Sequence, residues 1–317
     1  MKQTTFASLA FDGKKKLTRR ERFLREMDQV VPWARLLKRI EPHYPKAGNG
    51  RQPMPLETML RIYFLQQWFN LSDPGAEDAR YDSESMRRFA GIALLDEAIP
   101  DETTILNFRR LLARHRLTEA LFLEVNALLT EQRLLLKAGT LVDATIISAP
   151  GSTKNARRTR DPEMSQTRKG NQWYFGMKAH IGTDRKGIVH TLTTTTAKAA
   201  DITELPNLLH GEETVAHGDR GYHSADAVQF LRQRGIRSRL QVRAAAGHPL
   251  APAARERNRR WSRARAFVEH PFHVVKRLWG FAKVRYRGLY KNTVRLYACF
   301  ALANLYRVRH RLRPQGA

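Results

Sequence analysis

The residues with the sharpest chemical consequence are carboxylates placed where the chain should not welcome them. Within residues 140–150, TLVDATIISAP, Leu141, Val142, Ala144, Ile146 and Ile147 make a nearly continuous apolar run. Such a run predicts a strand buried on both faces, with Asp143 in its middle. An isolated ionised carboxylate there is costly, so it must be paired, hydrogen-bonded, metal-bound or protonated. Residues 214–219, TVAHGD, predict a second apolar strand that delivers Asp219 at its end, before the turn Arg220-Gly221-Tyr222. A carboxylate at a strand terminus points into a cleft. Two of them on neighbouring strands suit a hard cation such as Mg²⁺, which is held by one or two carboxylates with phosphate oxygens and water. Each also has a plainer reading, Asp143 as a hydrogen-bonded core residue and Asp219 as a turn residue ahead of the helix that Ser224 caps and Gly235 closes.

A third piece lies in residues 262–278, SRARAFVEHPFHVVKRL. On a helix of 100° per residue, Phe267, Val274, Val275 and Leu278 gather on one side, and Arg265, Glu269 and Lys276 on the other. A stripe of Arg, Glu and Lys is ordinarily a salt-bridged solvated face. Here Glu269 is the last acidic residue of the chain, and the 48 residues after it hold 11 Lys or Arg. A lone acid in so basic a segment suggests a function. Pro271 disturbs the helix two residues later, a local cost with no reason visible in the sequence.

The elements that must position these groups fall into two parts. Residues 1–137 predict helices: one from residue 17 capped by Thr18, one over 56–69, one starting at Asp73-Pro74, and a long one from Asp101 toward Lys137, with a loop over 48–55. Arg109, Arg110, Arg114 and Arg116 fall on one exposed side of the last, either a nucleic-acid contact or an ordinary solvated face. From residue 138 the pattern changes. Residues 173–181 and 187–196 are β-rich runs joined as a hairpin by Thr183-Asp184-Arg185-Lys186, a short helix starts at Asp201, and 236–242 make a last strand. Between the first strand and the hairpin, residues 151–170 form a polar loop with six Lys or Arg against two acids, suited to resting on phosphates. Three adjacent strands followed by alternating helices and strands describe an α/β domain with a mixed sheet covered by helices.

Composition narrows the partner. In 317 residues, 56 Lys and Arg against 30 Asp and Glu leave a formal charge of +26, with a pI near 10.9. That field repels itself and attracts polyanions, which favours nucleic acid. A membrane is disfavoured, because no segment approaches the roughly 20 apolar residues of a span. The basic N-terminal residues are followed by no apolar run of a signal peptide, so a cytoplasmic protein is expected. Cys299, the only cysteine, excludes a disulfide framework and a cysteine-based zinc site within one chain.

Together, Asp143 in LVDAT, Asp219 in HGDRGY, Arg265-x3-Glu269-x6-Lys276 and the tail EHPFHVVKRLWGFAKVRYRGLYKN resemble the DDE transposases of bacterial insertion sequences, specifically the InsH-like group. The resemblance covers most of the chain. It implies a helical N-terminal DNA-binding domain over 1–137 and a catalytic domain with a ribonuclease H-like fold over 138–317. It further implies a catalytic and metal-binding triad of Asp143, Asp219 and Glu269, with Mg²⁺ as cofactor and Mn²⁺ as a substitute. Arg265 and Lys276 match DNA-contacting residues, and Arg220 joins them as a candidate. One position departs from the pattern: a Tyr is expected three residues before the Arg, and Ser262 stands there, beside Trp261. The implied activity is binding of terminal repeats, cleavage at the element ends and joining of the 3′-hydroxyl to target DNA by two-metal phosphoryl transfer. Double-stranded DNA is the implied partner, with a homodimer on DNA, since two ends must be held together. His180 and His217 near these strands are expected to be core or supporting residues, because Mg²⁺ prefers oxygen. Without a cation the three carboxylates are expected to repel one another. Two alternatives share parts of this reading: a stand-alone metal-dependent nuclease, and a DNA-binding protein with a decayed catalytic site.

Overall fold

The computed structural model describes residues 13–49, 52–92, 98–154, 156, 158–245 and 247–312. The chain divides into two compact units, Met1–Glu124 with Leu305–Ala317, and Val125–Asn304.

The first unit is helical among the described residues. Its helices are α1 (Arg19–Val30), α2 (Trp33–Ile40), α3 (Leu56–Trp68), α4 (Asp73–Asp82), α5 (Glu84–Ala90) and α6 (Glu102–Arg114). Their starts follow from side-chain capping: Thr18, Ser72 and Asp101 accept the N–H groups of Glu21, Gly75 and Thr104. The cap of α4 is therefore Ser72 rather than Asp73, and Asp73 is instead free to pair with Arg109 at 2.6 Å. This removes Arg109 from the exposed basic face expected of it, since its side chain is mostly covered. The expected long helix toward Lys137 is broken as well. Arg116 takes φ +52, a left-handed conformation that ends α6 before α7 (Leu117–Glu131) begins. An aromatic cluster of Trp33, Phe64, Trp68 and Phe89 fills the centre, with ring centroids 5.5 to 5.9 Å apart.

The second unit carries a six-stranded sheet, β1 (Thr140–Ser148), β2 (Ser165–Lys169), β3 (Gln172–Thr183), β4 (Val189–Thr196), β5 (Val215–Gly218) and β6 (Arg237–Leu240). The order is β2-β3-β1-β5-β6, with β4 also pairing with β3. β1, β3 and β4 are antiparallel, whereas β1, β5 and β6 are parallel. This is a mixed sheet flanked by helices with the strand arrangement of a ribonuclease H-like fold, as the sequence leads one to expect. Strand β2 is the correction: the polar stretch 151–170 ends in a strand that turns through Gly170, at φ +61, into β3. The remainder of that stretch includes Asn155 and Arg157, and the predicted 48–55 loop includes Gly50 and Arg51, all four outside the described residues.

One sheet face packs Val142, Ala216 and Leu240 against Tyr222 and against Ala227 and Leu231 of α8 (Ala225–Gln233). Close approach governs β3, where a side chain on Gly176 would meet the Ile147 carbonyl at 2.1 Å. The last helix, α11 (Leu289–Leu312), is tied to β4 by Asn304. Its side chain, fully buried, accepts the Val189 N–H at 2.8 Å and donates to the Val189 carbonyl at 2.7 Å and to Asn126 Oδ1 at 2.9 Å. This amide is matched on both its atoms, so a leucine there leaves the Val189 N–H and C=O buried and unpaired. At about 1 to 3 kcal/mol for each of the two unsatisfied groups, Asn304→Leu is expected to lower unfolding free energy by roughly 2 to 6 kcal/mol in urea titration. An unchanged midpoint would show that the backbone groups find other partners.

Candidate functional site

Strand β1 is not buried throughout as predicted. Thr140, Leu141 and Val142 are buried, and the strand emerges to half-burial at Asp143, where the acid sits. The parallel register with β5 pairs Thr140 with Ala216 and Leu141 with His217. Continued by two residues, it sets Asp143 level with Asp219, just past the end of β5. Asp219 Oδ1 accepts the Gly221 N–H at 2.7 Å and opens a 3₁₀ turn, Arg220–Tyr222. Its plainer reading as a turn residue is thus true of one oxygen and leaves the other available.

The helix that brings the third acid is not uniform. α9 (Pro252–Arg265) passes into a 3₁₀ turn, Ala266–Val268, then α10 (Glu269–His273), then a π turn, Val274–Leu278. Pro271 accounts for the first change. It has no N–H for the Phe267 carbonyl, and the 3₁₀ turn restarts the helix so that Pro271 falls in the opening turn of α10, where N–H groups lack intrahelical partners anyway. The cost anticipated for this proline is thereby avoided. The changes in pitch also upset the predicted apolar face: Val274 and Val275 are buried, but Phe267 and Leu278 are 44% and 52% exposed, while Val268, Pro271 and Phe272 are buried instead.

These elements line one cleft of about 490 Å³ with Asp143, Asp219, Glu269, Arg265 and Lys276, and with Lys169 from β2. Arg265 Nη1 donates to Asp143 Oδ2 at 2.7 Å and Nη2 to Glu269 Oε1 at 3.4 Å. A guanidinium therefore lies between two of the three acids, and the expected mutual repulsion is offset in part. Asp143 Oδ1 accepts the Ala144 N–H at 2.8 Å. The Asp143 carboxyl is nevertheless pushed up to about 6: burial raises it most, Arg265 and the Ala144 N–H oppose, and Asp219 and Glu269 push it further up. Arg265 Nε is buried without a partner. Lys276 Nζ donates to Thr145 Oγ1 at 3.0 Å and to the Ile146 carbonyl at 2.8 Å, which holds it beside β1.

Among the described residues no three His, Cys, Asp or Glu side chains converge closely enough to enclose an ion as they stand. The donor chemistry still fits a hard divalent cation. The acids offer oxygen only, Glu269 is 63% exposed on a mobile-length side chain, and a cation already bridges Asp143 and Glu269 in the form of Arg265. His180 and His217 are buried and do not line the cleft. His217 is pulled down to about 4, by burial first and then by Arg239 and Arg185. Of the other candidates, Arg220 is exposed. Ser262 accepts from Gln241 Nε2 at 2.6 Å and donates to the Asn258 carbonyl, so its hydroxyl proton is committed within its own helix.

Two charged groups near the cleft escaped the sequence reading. Asp201, read only as a helix start, pairs with Lys178 Nζ at 2.8 Å and, with burial as the larger cause, helps raise the Tyr222 hydroxyl together with Asp143 and Asp219. Lys169 was hidden in a stretch read as loop. SQTRK has no apolar residue to mark it as a strand, and Gly170 after it was the available turn signal.

A family model described as the transposase DDE domain matches residues 135–305, more than half of the chain, and a second, the transposase domain DUF772, matches residues 11–111. The chain belongs to the DDE transposases. The transposase is accordingly a DNA-processing enzyme, and its family implies DNA as partner and a divalent metal ion. No helix among its described residues is long and apolar enough to cross a membrane.

The raised Asp143 carboxyl sets a sign for pH dependence. Its folded value, about 6, exceeds the ordinary 3.8, so the folded transposase binds this proton more tightly than the unfolded chain and loses stability as pH rises from about 4 to above 6. Titration near 6 rather than 3.8 corresponds to on the order of 3 kcal/mol at most. Without metal, Asp143→Asn is therefore expected to melt at or above the wild-type temperature at pH 8, with the difference gone below pH 4. A variant that melts markedly earlier at pH 8 would show that the Arg265 pair outweighs the burial.

Proposed function

We propose that this transposase binds the terminal repeats of its insertion sequence, cuts at the element ends and joins the freed 3′-hydroxyl to target DNA, with Asp143, Asp219 and Glu269 holding Mg²⁺, or Mn²⁺ in its place. The observation that carries the reading is the convergence of these acids, from two adjacent strands and one helix, on a cleft that also holds Arg265, Lys276 and Lys169. Acids alone suit a cation and bases alone suit a phosphate; a site for a cation and a phosphodiester together needs both. A pair of divalent ions, when bound, supplies Lewis acidity on both sides of an in-line displacement at phosphorus. In cleavage a water oxygen forms the new bond to phosphorus and the 3′ oxygen of the element end leaves with a proton. In joining, that 3′ oxygen attacks a target phosphorus and the target's own 3′ oxygen leaves, so bonds to phosphorus are conserved.

The chain's residues have distinct parts in this. Asp143 on β1 and Asp219 just past the end of β5 would hold the cation from the sheet and its edge, whereas Glu269, exposed and on a helix start, would be free to adjust. Arg265, whose fork lies between Asp143 and Glu269, would be positioned to donate to a non-bridging phosphate oxygen if those acids held a metal instead. Lys276, Ser262 and Arg220 complete the DNA-contacting set, with residues 1–137 as a DNA-binding domain and 138–317 as the catalytic domain. The matches at 11–111 and 135–305 support that division. Two ends must be held at once, so at least two chains are expected on DNA.

The test is incubation of the full chain with Mg²⁺ or Mn²⁺ and labelled DNA carrying the repeats that flank its gene, reading cleavage and joining separately. Cleavage without joining points to a stand-alone nuclease. Asp143→Asn, Asp219→Asn and Glu269→Gln are each expected to reduce both reactions by a factor on the order of 10³ or more while end binding persists, and double substitutions to add little. A single variant that still cuts removes its residue from the site. End binding itself should be steep in salt: neutralising 6 to 10 phosphates loses about 10³ to 10⁵ in affinity between 50 and 200 mM. An affinity insensitive to salt would sink the electrostatic account.

A further inference from the structure

Three cations in the cleft have no acid to answer them. Lys169, Lys276 and Arg277 line it together, and no carboxylate among the described residues pairs with any of the three. Lys276 is half-buried, and its ammonium is pulled down by burial first, then by Lys169 and Arg277, which places those charges within interacting range. Like charges crowded in a partly desolvated space are unfavourable unless an anion enters. Lys276 commits two of its three N–H donors to Thr145 Oγ1 and the Ile146 carbonyl, and one remains. Lys169 retains all three.

Where this cluster sits relative to the acids matters more than its charge. Thr145, to which Lys276 is tied, lies two residues beyond Asp143 on β1 and on the same face of the strand. Two residues of strand span roughly 7 Å, a distance comparable with the step between successive phosphates of an extended DNA strand. Lys169 is fixed there by secondary structure. It is the last residue of β2, paired across to Gln172, with the tight turn at Gly170 immediately after it.

We propose that Lys169, with Lys276 and Arg277, forms a second phosphate subsite that binds a phosphate neighbouring the scissile one on the same DNA strand. The acids and Arg265 then occupy the reacting phosphate, and the β2–β3 hairpin fixes the register of the strand by holding the next. This deepens the reading of the cleft as a transposase active site and rests on it. Lys169 is a DNA-contacting residue in this account, with no part in the bond changes themselves.

The test uses the full-length chain, duplexes carrying the element end, and the variants Lys169→Ala and Lys169→Arg. Lys169→Ala is expected to weaken end binding by roughly tenfold at 0.1 M salt and to reduce the slope of log K against log salt by about one, while Lys169→Arg keeps the wild-type slope. In kinetics KM rises and kcat stays within about threefold, the signature of lost uniform binding. Methylphosphonate substitution, one phosphate at a time, supplies a readout that a structural role does not move. Neutralising one particular phosphate beside the scissile one should abolish the difference between wild type and Lys169→Ala, and neutralising others should preserve it. A steep wild-type slope shared unchanged by Lys169→Ala, or a difference that survives every single neutralisation, overturns the subsite and leaves the transposase reading standing. A wild-type chain that binds end DNA without salt dependence overturns both. If Lys169→Ala melts early, the phosphate scan on wild type against Lys169→Arg decides: a dominant phosphate beside the scissile one supports the subsite and a flat scan overturns it.

Discussion

The contact between Arg265 and Asp143, formed across 122 residues of sequence, is the constraint to which the second unit answers. Asp143 is held where a sheet stops being core, and burial there disfavours its charge more than its partners favour it. A carboxyl that would relax in a flexible loop is denied that by eight residue pairs of β1 with β3 on one side and by the pairing of Thr140 and Leu141 with β5 on the other. The sheet therefore keeps the acid in an unfavourable place, and a cation has to come to it. The guanidinium of Arg265 plays that part, and it reaches Glu269 as well.

That requirement explains the irregular helix. A uniform α-helix over 262–278 would put Arg265, Glu269 and Lys276 on a common stripe but would also carry Pro271 in its interior. A 3₁₀ turn ahead of the proline and a π turn after it let the segment keep the proline buried, seat Val274 and Val275 in the core and still turn all three charged groups into the cleft. Changes of helix type are common at functional sites because they re-aim side chains that a regular pitch cannot. Phe267 and Leu278 are left on the surface as the consequence.

Much of this was legible from local chemistry. The strands carrying Asp143 and Asp219, the hairpin through Asp184, the Ser224 cap and the starts of the helices at Arg19, Leu56, Asp73 and Glu102 follow from period, capping and turn residues, whereas the short helices Trp33–Ile40 and Glu84–Ala90 did not stand out in the sequence. What failed did so where a non-local contact decided the outcome. Arg109 reads as solvated until Asp73, 36 residues earlier, takes it up. Strand β2 reads as loop because SQTRK has no apolar face of its own and is a strand only by pairing with β3. The apolar face of the third piece was wrong because 100° per residue was carried through turns of two other pitches. The position of Arg265 was out of reach for the same reason: its spacing to Glu269 is local, but its bond to Asp143 exists only once β1 and α9 are brought together.

The cleft also balances a tension that the composition raises. A formal charge of +26 draws polyanions to the chain as a whole, yet the cleft gathers three carboxylates, which would repel a phosphodiester brought into it. Coulomb repulsion in a partly desolvated site is several times stronger than in water, so distant lysines do not cancel it. Charge must be balanced within the cleft, and two local arrangements do so. Arg265 offsets part of the charge of Asp143 and Glu269, and Lys276 is held by uncharged oxygens of Thr145 and Ile146, so its charge is not spent on any acid and stays available to an anion. An ion pair would have fixed Lys276 equally well but would have cancelled the attraction. Holding the ammonium by a hydroxyl and a carbonyl keeps both its position and its charge, and an anion entering the cleft would meet both.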